Sequence, residues 1–221
     1  MEKLTKALKN HNIHMVAKTL EHYPFLATYN DHGYTFLMAA IASKFIEAME
    51  LLIKYKSPIN NNTLLLACSN EFIEGIELLL QYGAKPNYDG DIQKSPLCTA
   101  VNNGNIAIVK LLLEYDADVN EGEQSSPLHI AISSRKENKL EMVKLLLDNG
   151  ADVDFKDIND HTPLMRAVYY DFLDIAILLI TYGADTGYIN KDSNDALIYA
   201  HKNKNVEMIK VLKKNDFSTN M

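Results

Sequence analysis

A small residue returns along the chain at a nearly constant interval. It stands at Ala7, Ala40, Ala67, Ala100, Ala131, Ala167 and Ala200, with separations of 33, 27, 33, 31, 36 and 33 residues. A period of this length marks one supersecondary element used again and again. No copy can bury its apolar face alone, so the copies must stack and share a core. An apolar partner follows each anchor by nine residues, as Val16, Met49, Ile76, Val109, Ala176 and Ile209. In the fifth copy it is Val143, twelve residues on, which places three extra residues between the two halves of that copy.

The fourth copy, Ser95–Asn120, shows what each half is. Ser95 reads as a helix N-cap, with Pro96 in the first helical position, where a missing amide hydrogen costs nothing. Leu97, Ala100 and Val101 fall on one helical face. Asn102, Asn103 and Gly104 end that helix, Gly104 being able to take the left-handed conformation. A second apolar run, Ile106, Val109, Leu112 and Leu113, predicts a second helix that ends at Asp116-Ala117.

On these residues the chain resembles the ankyrin-repeat proteins. The motif Thr-Pro-Leu-His-x-Ala that opens the family's first helix is matched by SPLHIA (Ser126–Ala131), TPLMRA (Thr162–Ala167), SPLCTA (Ser95–Ala100) and TFLMAA (Thr35–Ala40). The family's closing motif, Leu-Leu-x-x-Gly-Ala-Asp-Val-Asn, is matched by Leu146–Asp154, Leu79–Asn87 and Leu179–Gly187. The resemblance implies an all-α solenoid of about seven helix-turn-helix repeats, five internal and two capping, with short hairpin fingers between them. The repeats are bounded near residues 1–27, 28–60, 61–87, 88–120, 121–154, 155–187 and 188–221, a single domain over 1–221. It also implies a scaffold that binds proteins.

Composition narrows the partner. The formal charge is −7, from 22 basic and 29 acidic side chains, which argues against a nucleic-acid backbone as ligand and slightly favours a basic protein surface. No stretch approaches the ~20 apolar residues of a membrane span. The two cysteines, Cys68 and Cys98, read as small buried apolar residues, and their scarcity fits a reducing compartment such as the cytosol. Basic residues are 20 Lys against 2 Arg, a usage typical of AT-rich coding in intracellular bacteria, large DNA viruses and protists.

Each repeat departs from the ideal in its own way. Repeat one carries Glu2, Lys3, Lys6 and Lys9 on its first helix, as a solvated cap requires. His11 and His14 have no companion ligand at zinc spacing and read as a turn residue and a surface residue. Repeat two opens with a finger, Tyr29–Tyr34, whose Gly33 suits a tight hairpin turn. Six residues are missing between repeats two and three, so that connection is expected to be a tight turn without a finger. Repeat three lacks the Thr-Pro start, which predicts a weak helix opening. Fingers are expected at Tyr88–Lys94, Glu121–Ser125 and Phe155–His161. The polar insertion Ser133–Lys139 reads as a solvated excursion. Phe45, Phe72 and Phe172 share one position past the first helix and read as packing residues. Lys213 and Lys214 give repeat seven a polar outer face, and Phe217–Met221 is expected to fray.

Catalytic readings lack support. The glycines mark helix ends and form no phosphate loop, there is no Cys/His cluster at zinc spacing, and no carboxylate pair stands out. The chain is therefore expected to be a binding protein, monomeric, without cofactor and without a nucleic-acid or membrane ligand. It would serve as a cytoplasmic adaptor or scaffold, or else as a pathogen factor delivered into a host cell to bind a host protein. The resemblance puts the binding surface on the concave side, formed by finger tips and the outer side of each first helix. The residues that map there include Tyr34, Lys94, Asn102, Asn103, His161, Tyr169 and Tyr170. Binding energy is expected to concentrate around repeats four to six, because the missing finger interrupts the row earlier. Asn120, in LLLEYDADVN, resembles ankyrin asparagines that are hydroxylated in animal cells, with a structural turn residue as the alternative.

The anchors make the first testable claim. Replacing Ala100 or Ala131 with Leu overpacks a helix crossing and is expected to cost ~1–3 kcal/mol, read as a lowered thermal midpoint for both variants.

Overall fold

The structure is a computed structural model and describes residues 1–87, 95–122 and 125–215. Its elements are helices in pairs. The pairs are α1 (Glu2–Lys9) with α2 (Ile13–His22), α3 (Phe36–Ala42) with α4 (Ile46–Lys54), and α5 (Asn61–Ser69) with α6 (Ile73–Gln81). They continue as α7 (Pro96–Asn103) with α8 (Ile106–Glu114), α9 (Pro127–Ser133) with α10 (Lys139–Asp148), α11 (Pro163–Tyr169) with α12 (Leu173–Thr181), and α13 (Ala196–Asn203) with α14 (Val206–Lys214). A 3₁₀ turn, Pro24–Thr28, follows α2, and β1 (Asn30–Asp31) pairs antiparallel with β2 (Tyr34–Thr35). The all-α repeat architecture expected from the period is present.

The chain falls into two compact units. The first comprises Met1–Gly90, Lys94–Ala100 and Ala107–Ala117. There α1, α3 and α5 pack side by side as one layer, and α2, α4 and α6 as a second. The second comprises Asp91–Gln93, Val101–Ile106 and Asp118–Met221, with α9, α11 and α13 in one layer and α10, α12 and α14 in the other. All seven anchor alanines are buried.

The turn inside each repeat is built on a fixed plan. The residue four places after the anchor has positive φ in six repeats: His11, Lys44, Glu71, Gly104, Asp171 and Lys204. Only one of these is glycine, so the others accept a left-handed conformation at a cost of roughly 1–2 kcal/mol each. The gain is a helix terminus at which carbonyls of the last turn find backbone donors. In five repeats the next amide donates to the anchor's own carbonyl, as in Asn12→Ala7 at 2.9 Å, Phe45→Ala40 at 3.0 Å and Phe172→Ala167 at 2.9 Å. Second helices close the same way, with Gly83, Gly150 and Gly183 left-handed and the following alanine amides bonded to Leu79, Leu146 and Leu179.

One expectation from the sequence is corrected and three are sharpened. Repeat three does not open weakly. Asn60 and Thr63 form a reciprocal capping box, with the Thr63 amide 3.1 Å from Asn60 Oδ1 and the Asn60 amide 3.2 Å from Thr63 Oγ1. The insertion in repeat five is solvated as expected, with Ser133, Arg135, Lys136 and Glu137 exposed, but it is tied down at its end. Asn138 Nδ2 donates to the Gly104 carbonyl at 2.8 Å, and a Cβ on Gly104 would come within 2.9 Å of Lys136 Cγ. In α8 the fully buried residues are Ile108, Val109 and Leu112, while Ile106 and Leu113 are half-buried. Phe45 and Phe72 are buried, but Phe172 is half-buried and covered by Lys139 Nζ at 3.7 Å from its ring centre. The expected finger Tyr88–Lys94 lies outside the described residues, as do residues 123 and 124 of the next finger and the tail Phe217–Met221.

The connection between repeats two and three is a short loop, Tyr55 to Asn60, directly before α5, as the deletion required. The finger of repeat two is a two-residue hairpin with both His32 and Gly33 at positive φ, the geometry that matches strand twist. Removing the box at repeat three by Asn60→Ala is expected to cost about 1 kcal/mol, read by chemical denaturation against the parent chain.

Candidate functional site

The finger of repeat six is shaped by one carboxylate. Asp157 Oδ1 accepts the Asn159 amide at 2.8 Å and the His161 amide at 3.0 Å, and the Asp157 amide donates to the His161 carbonyl at 3.0 Å. Such side-chain closure replaces a strand ladder. Repeat seven repeats the design 33 residues later: Asn190 Oδ1 accepts from Asp192 and Asn194 at 3.1 and 3.0 Å. The two loops are fastened to each other. Tyr188 donates to Asp160 at 2.6 Å, and the Lys191 amide donates to the other Asp160 oxygen at 2.7 Å.

Asp157 has a second duty. Its side chain is 1% exposed, and its Oδ2 receives both Nε (2.8 Å) and Nη2 of Arg166 from α11. Burial opposes the charge on Asp157, but the backbone amides and Arg166 outweigh it and hold the carboxyl below its ordinary range. Burial likewise opposes the charge on Arg166, and hydrogen bonds with Asp157 and Tyr170 more than compensate.

Around this pair stands an aromatic group. Tyr169 is 58% exposed and Tyr170 39%, with their rings edge to face at 5.2 Å. Tyr169 meets Tyr199 of α13 edge to face at 5.8 Å, and Tyr199 shares a hydrogen bond of 2.9 Å with His161 Nε2. Together with Asn159, Met165 and Arg166 these side chains line a cavity of about 270 Å³.

The structure thus gathers three of the expected surface residues, His161, Tyr169 and Tyr170, in one place. Tyr34 stands exposed on β2, Asn102 is exposed and Asn103 half-buried at the end of α7, and Lys94 lies outside the described residues. Arg166 and Tyr199 were not anticipated. Both sit immediately before an anchor alanine, a position that Ala39, Thr99 and Ile130 fill half-buried elsewhere, so register alone was the available signal.

Asn120 is held at both ends of its amide. Nδ2 donates to the Gly150 carbonyl at 3.1 Å, and Oδ1 accepts the Asp152 amide at 2.7 Å. Asn87 and Asp154, at the matching positions, bond to Asp116 and Asp185. These residues staple each repeat to its successor, and hydroxylation of Asn120 would modify a side chain already engaged in that role.

His11 lies in the α1–α2 turn, stacked on Phe45, and His14 is exposed. Among the described residues no three His, Cys, Asp or Glu side chains converge as for a metal, and no helix is long and apolar enough to cross a membrane. Cys68 and Cys98 are both buried and form no disulfide with each other, and burial pushes the Cys68 thiol up to about 12.

Comparison with known proteins accords with this geometry. The family profile for ankyrin repeats (3 copies) matches residues 4–90, 64–157 and 135–221, and the chain belongs to that family. It is 28% identical over 112 residues to an ankyrin repeat protein of Acanthamoeba polyphaga mimivirus, covering 49% of this chain and 69% of that protein. It is 29% identical to one from fowlpox virus (strain NVSL) over 53% of this chain, and 31% identical to the mouse B-cell lymphoma 3 protein homolog over 56%. These last two alignments span only 34% and 27% of the relatives' own lengths. Among solved structures, the ankyrin repeat domain of Bcl-3 superposes with a TM-score of 0.81 at 25% identity, over 96% of this chain and 97% of that one. The human ASB11 ankyrin repeat domain gives 0.75 at 22% identity, over 96% of each.

The finger of repeat six also carries a pH-sensitive contact. His129 is buried, with Nδ1 at 3.0 Å from Ser126 Oγ and Nε2 at 3.0 Å from the His161 carbonyl. Burial lowers its pKa below 6.5, so the unfolded chain binds the proton more readily than the folded one. Its stabilising contribution is complete above pH 6.5 and declines as pH falls towards the folded pKa, with a slope of at most about 1.4 kcal/mol per pH unit. Denaturation midpoints measured between about pH 7 and 5 are expected to fall less steeply in His129→Gln than in the parent.

Proposed function

We propose that the chain is a protein-binding module rather than an enzyme, a monomer whose residues 1–221 act as one repeat domain. Its partner docks on the finger tips and the outer sides of the first helices, with most of the energy around repeats four to six. One observation carries the reading: Tyr169 and Tyr170 are large, exposed and adjacent, on a first helix, beside a cavity with a charged floor. Tyrosines lose little rotational freedom on docking and bury much area, which is why they recur as interface hot spots. The family is a protein-interaction scaffold, and its members bind through such surfaces.

The setting is a reducing cytoplasm, consistent with two buried cysteines that are not disulfide-bonded. Of the two roles open to such a module, action on a host protein is favoured over action within its own cell by the mimivirus and fowlpox relatives and by the Lys-rich, Arg-poor composition. Capture from a host lysate, compared with capture from the source cell, separates these roles.

Calorimetry with the captured partner then tests the surface. Tyr169→Ala or Tyr170→Ala is expected to lose ~2 kcal/mol or more of binding free energy. Lys110→Ala and Lys144→Ala, exposed on the second helices α8 and α10, are expected to be nearly silent. Equal, small losses at all four would refute the first-helix surface.

A further inference from the structure

We propose that the tyrosine-lined cavity of repeats six and seven receives a carboxylate side chain from an acidic segment of the partner, held by the edge of Arg166 that Asp157 leaves free. This rests on the docking surface proposed above and gives it a chemistry. The cavity volume, about 270 Å³, suits one side chain and not a cofactor-sized ligand.

The polar groups around it decide the sign of the charge. Asp157 is the nearest carboxylate, and it is already spent: one oxygen accepts two backbone amides and the other accepts two nitrogens of Arg166. An incoming ammonium group would find no free acceptor there and would meet the guanidinium instead. Asp160 is occupied as well, by the Tyr188 hydroxyl and the Lys191 amide. Donors remain. A guanidinium carries five N–H groups; Asp157 takes two, from Nε and Nη2, and Tyr170 takes one more, so two remain for a ligand in the cavity that Arg166 lines. The hydroxyls of Tyr169 and Tyr170 and the side-chain amide of Asn159 add further donors.

A cation also stands at the rim already, with Lys202 Nζ 5.2 Å from the centre of the Tyr199 ring. The chain as a whole carries −7, which taken alone would favour a basic partner; this cavity reverses the preference locally. A singly charged carboxylate suits it, because Asp157 has neutralised much of the guanidinium.

The composition supplies the readout. Arg135 and Arg166 are the only arginines in the chain, so two Nε–H signals are expected in a ¹⁵N NMR spectrum of the full protein. Arg135 lies exposed between α9 and α10 and serves as the internal reference. The probes are the capped peptides Gly-Leu-Glu-Leu-Gly, Gly-Leu-Gln-Leu-Gly and Gly-Leu-Lys-Leu-Gly. With the Glu peptide the Arg166 signal is expected to shift saturably while that of Arg135 stays. Binding of the Gln and Lys peptides is expected to be weaker by about tenfold.

Tyr170→Phe keeps the ring and the fold and removes one donor, and it is expected to weaken the Glu peptide by about threefold. Equal binding of the three peptides, a preference for Lys, or no saturable shift up to roughly 10 mM peptide would overturn the assignment. The two proposals fail separately. If the tyrosine-to-alanine variants weaken the partner while the peptides are indistinguishable, the docking surface stands and the carboxylate site falls. If the Glu preference holds while those variants are silent towards the partner, the docking surface falls and the carboxylate site stands.

Discussion

The helix crossing at each anchor alanine is the contact on which the rest of the structure depends. A methyl side chain there lets two first helices approach closely enough for their flanking leucines to interlock, and every larger side chain would hold them apart. All seven anchors are buried, as are Leu4, Leu37, Leu64, Leu97, Leu128 and Leu164 three residues before six of them. Because the anchor's carbonyl also accepts the hydrogen bond that ends the first helix in most repeats, one residue sets both the packing distance and the length of its helix. That coupling explains why left-handed backbone at Lys44, Glu71 and Asp171 is tolerated without glycine. The strain at one residue is offset by a terminus in which the anchor carbonyl and its neighbours find donors.

Stacking alone leaves the connections between repeats unspecified, and polar side chains complete them. Asn87, Asn120 and Asp154 reach from the end of one repeat to the backbone of the next. Asn138 does the same from the inserted loop to Gly104, and Asn203 from α13 to the Val168 carbonyl at 2.7 Å. Each satisfies a backbone group that the repeat's own helices leave open. The insertion in repeat five is tolerated for this reason. Most of its residues face solvent, but Asn138 at its end carries an amide to the Gly104 carbonyl.

The same economy of polar groups produces the candidate site. Asp157 is needed to close a finger, and a buried carboxylate must be paired, which brings Arg166 to the surface of α11. In repeat seven the corresponding pair is Asn190 and Tyr199, neutral at both positions. The difference of one charged pair between neighbouring repeats is what places a guanidinium, three tyrosines and a histidine around one cavity.

The sequence by itself determined the period, the paired helices, the anchors and the caps, because these follow from spacing and from what Pro, Gly and Ala permit locally. It also pointed to Tyr169, Tyr170 and His161, since a repeat assigns each position a face. It misjudged the opening of repeat three, where an Asn-x-x-Thr capping box stands in for the missing Thr-Pro. Only the tertiary structure decided that Asp157 pairs with Arg166, that Tyr199 closes the aromatic group from the next repeat, and that Asn120 is a staple. These contacts join residues nine to 38 positions apart, and their partners are chosen by the stacking distance between helices and not by any local preference.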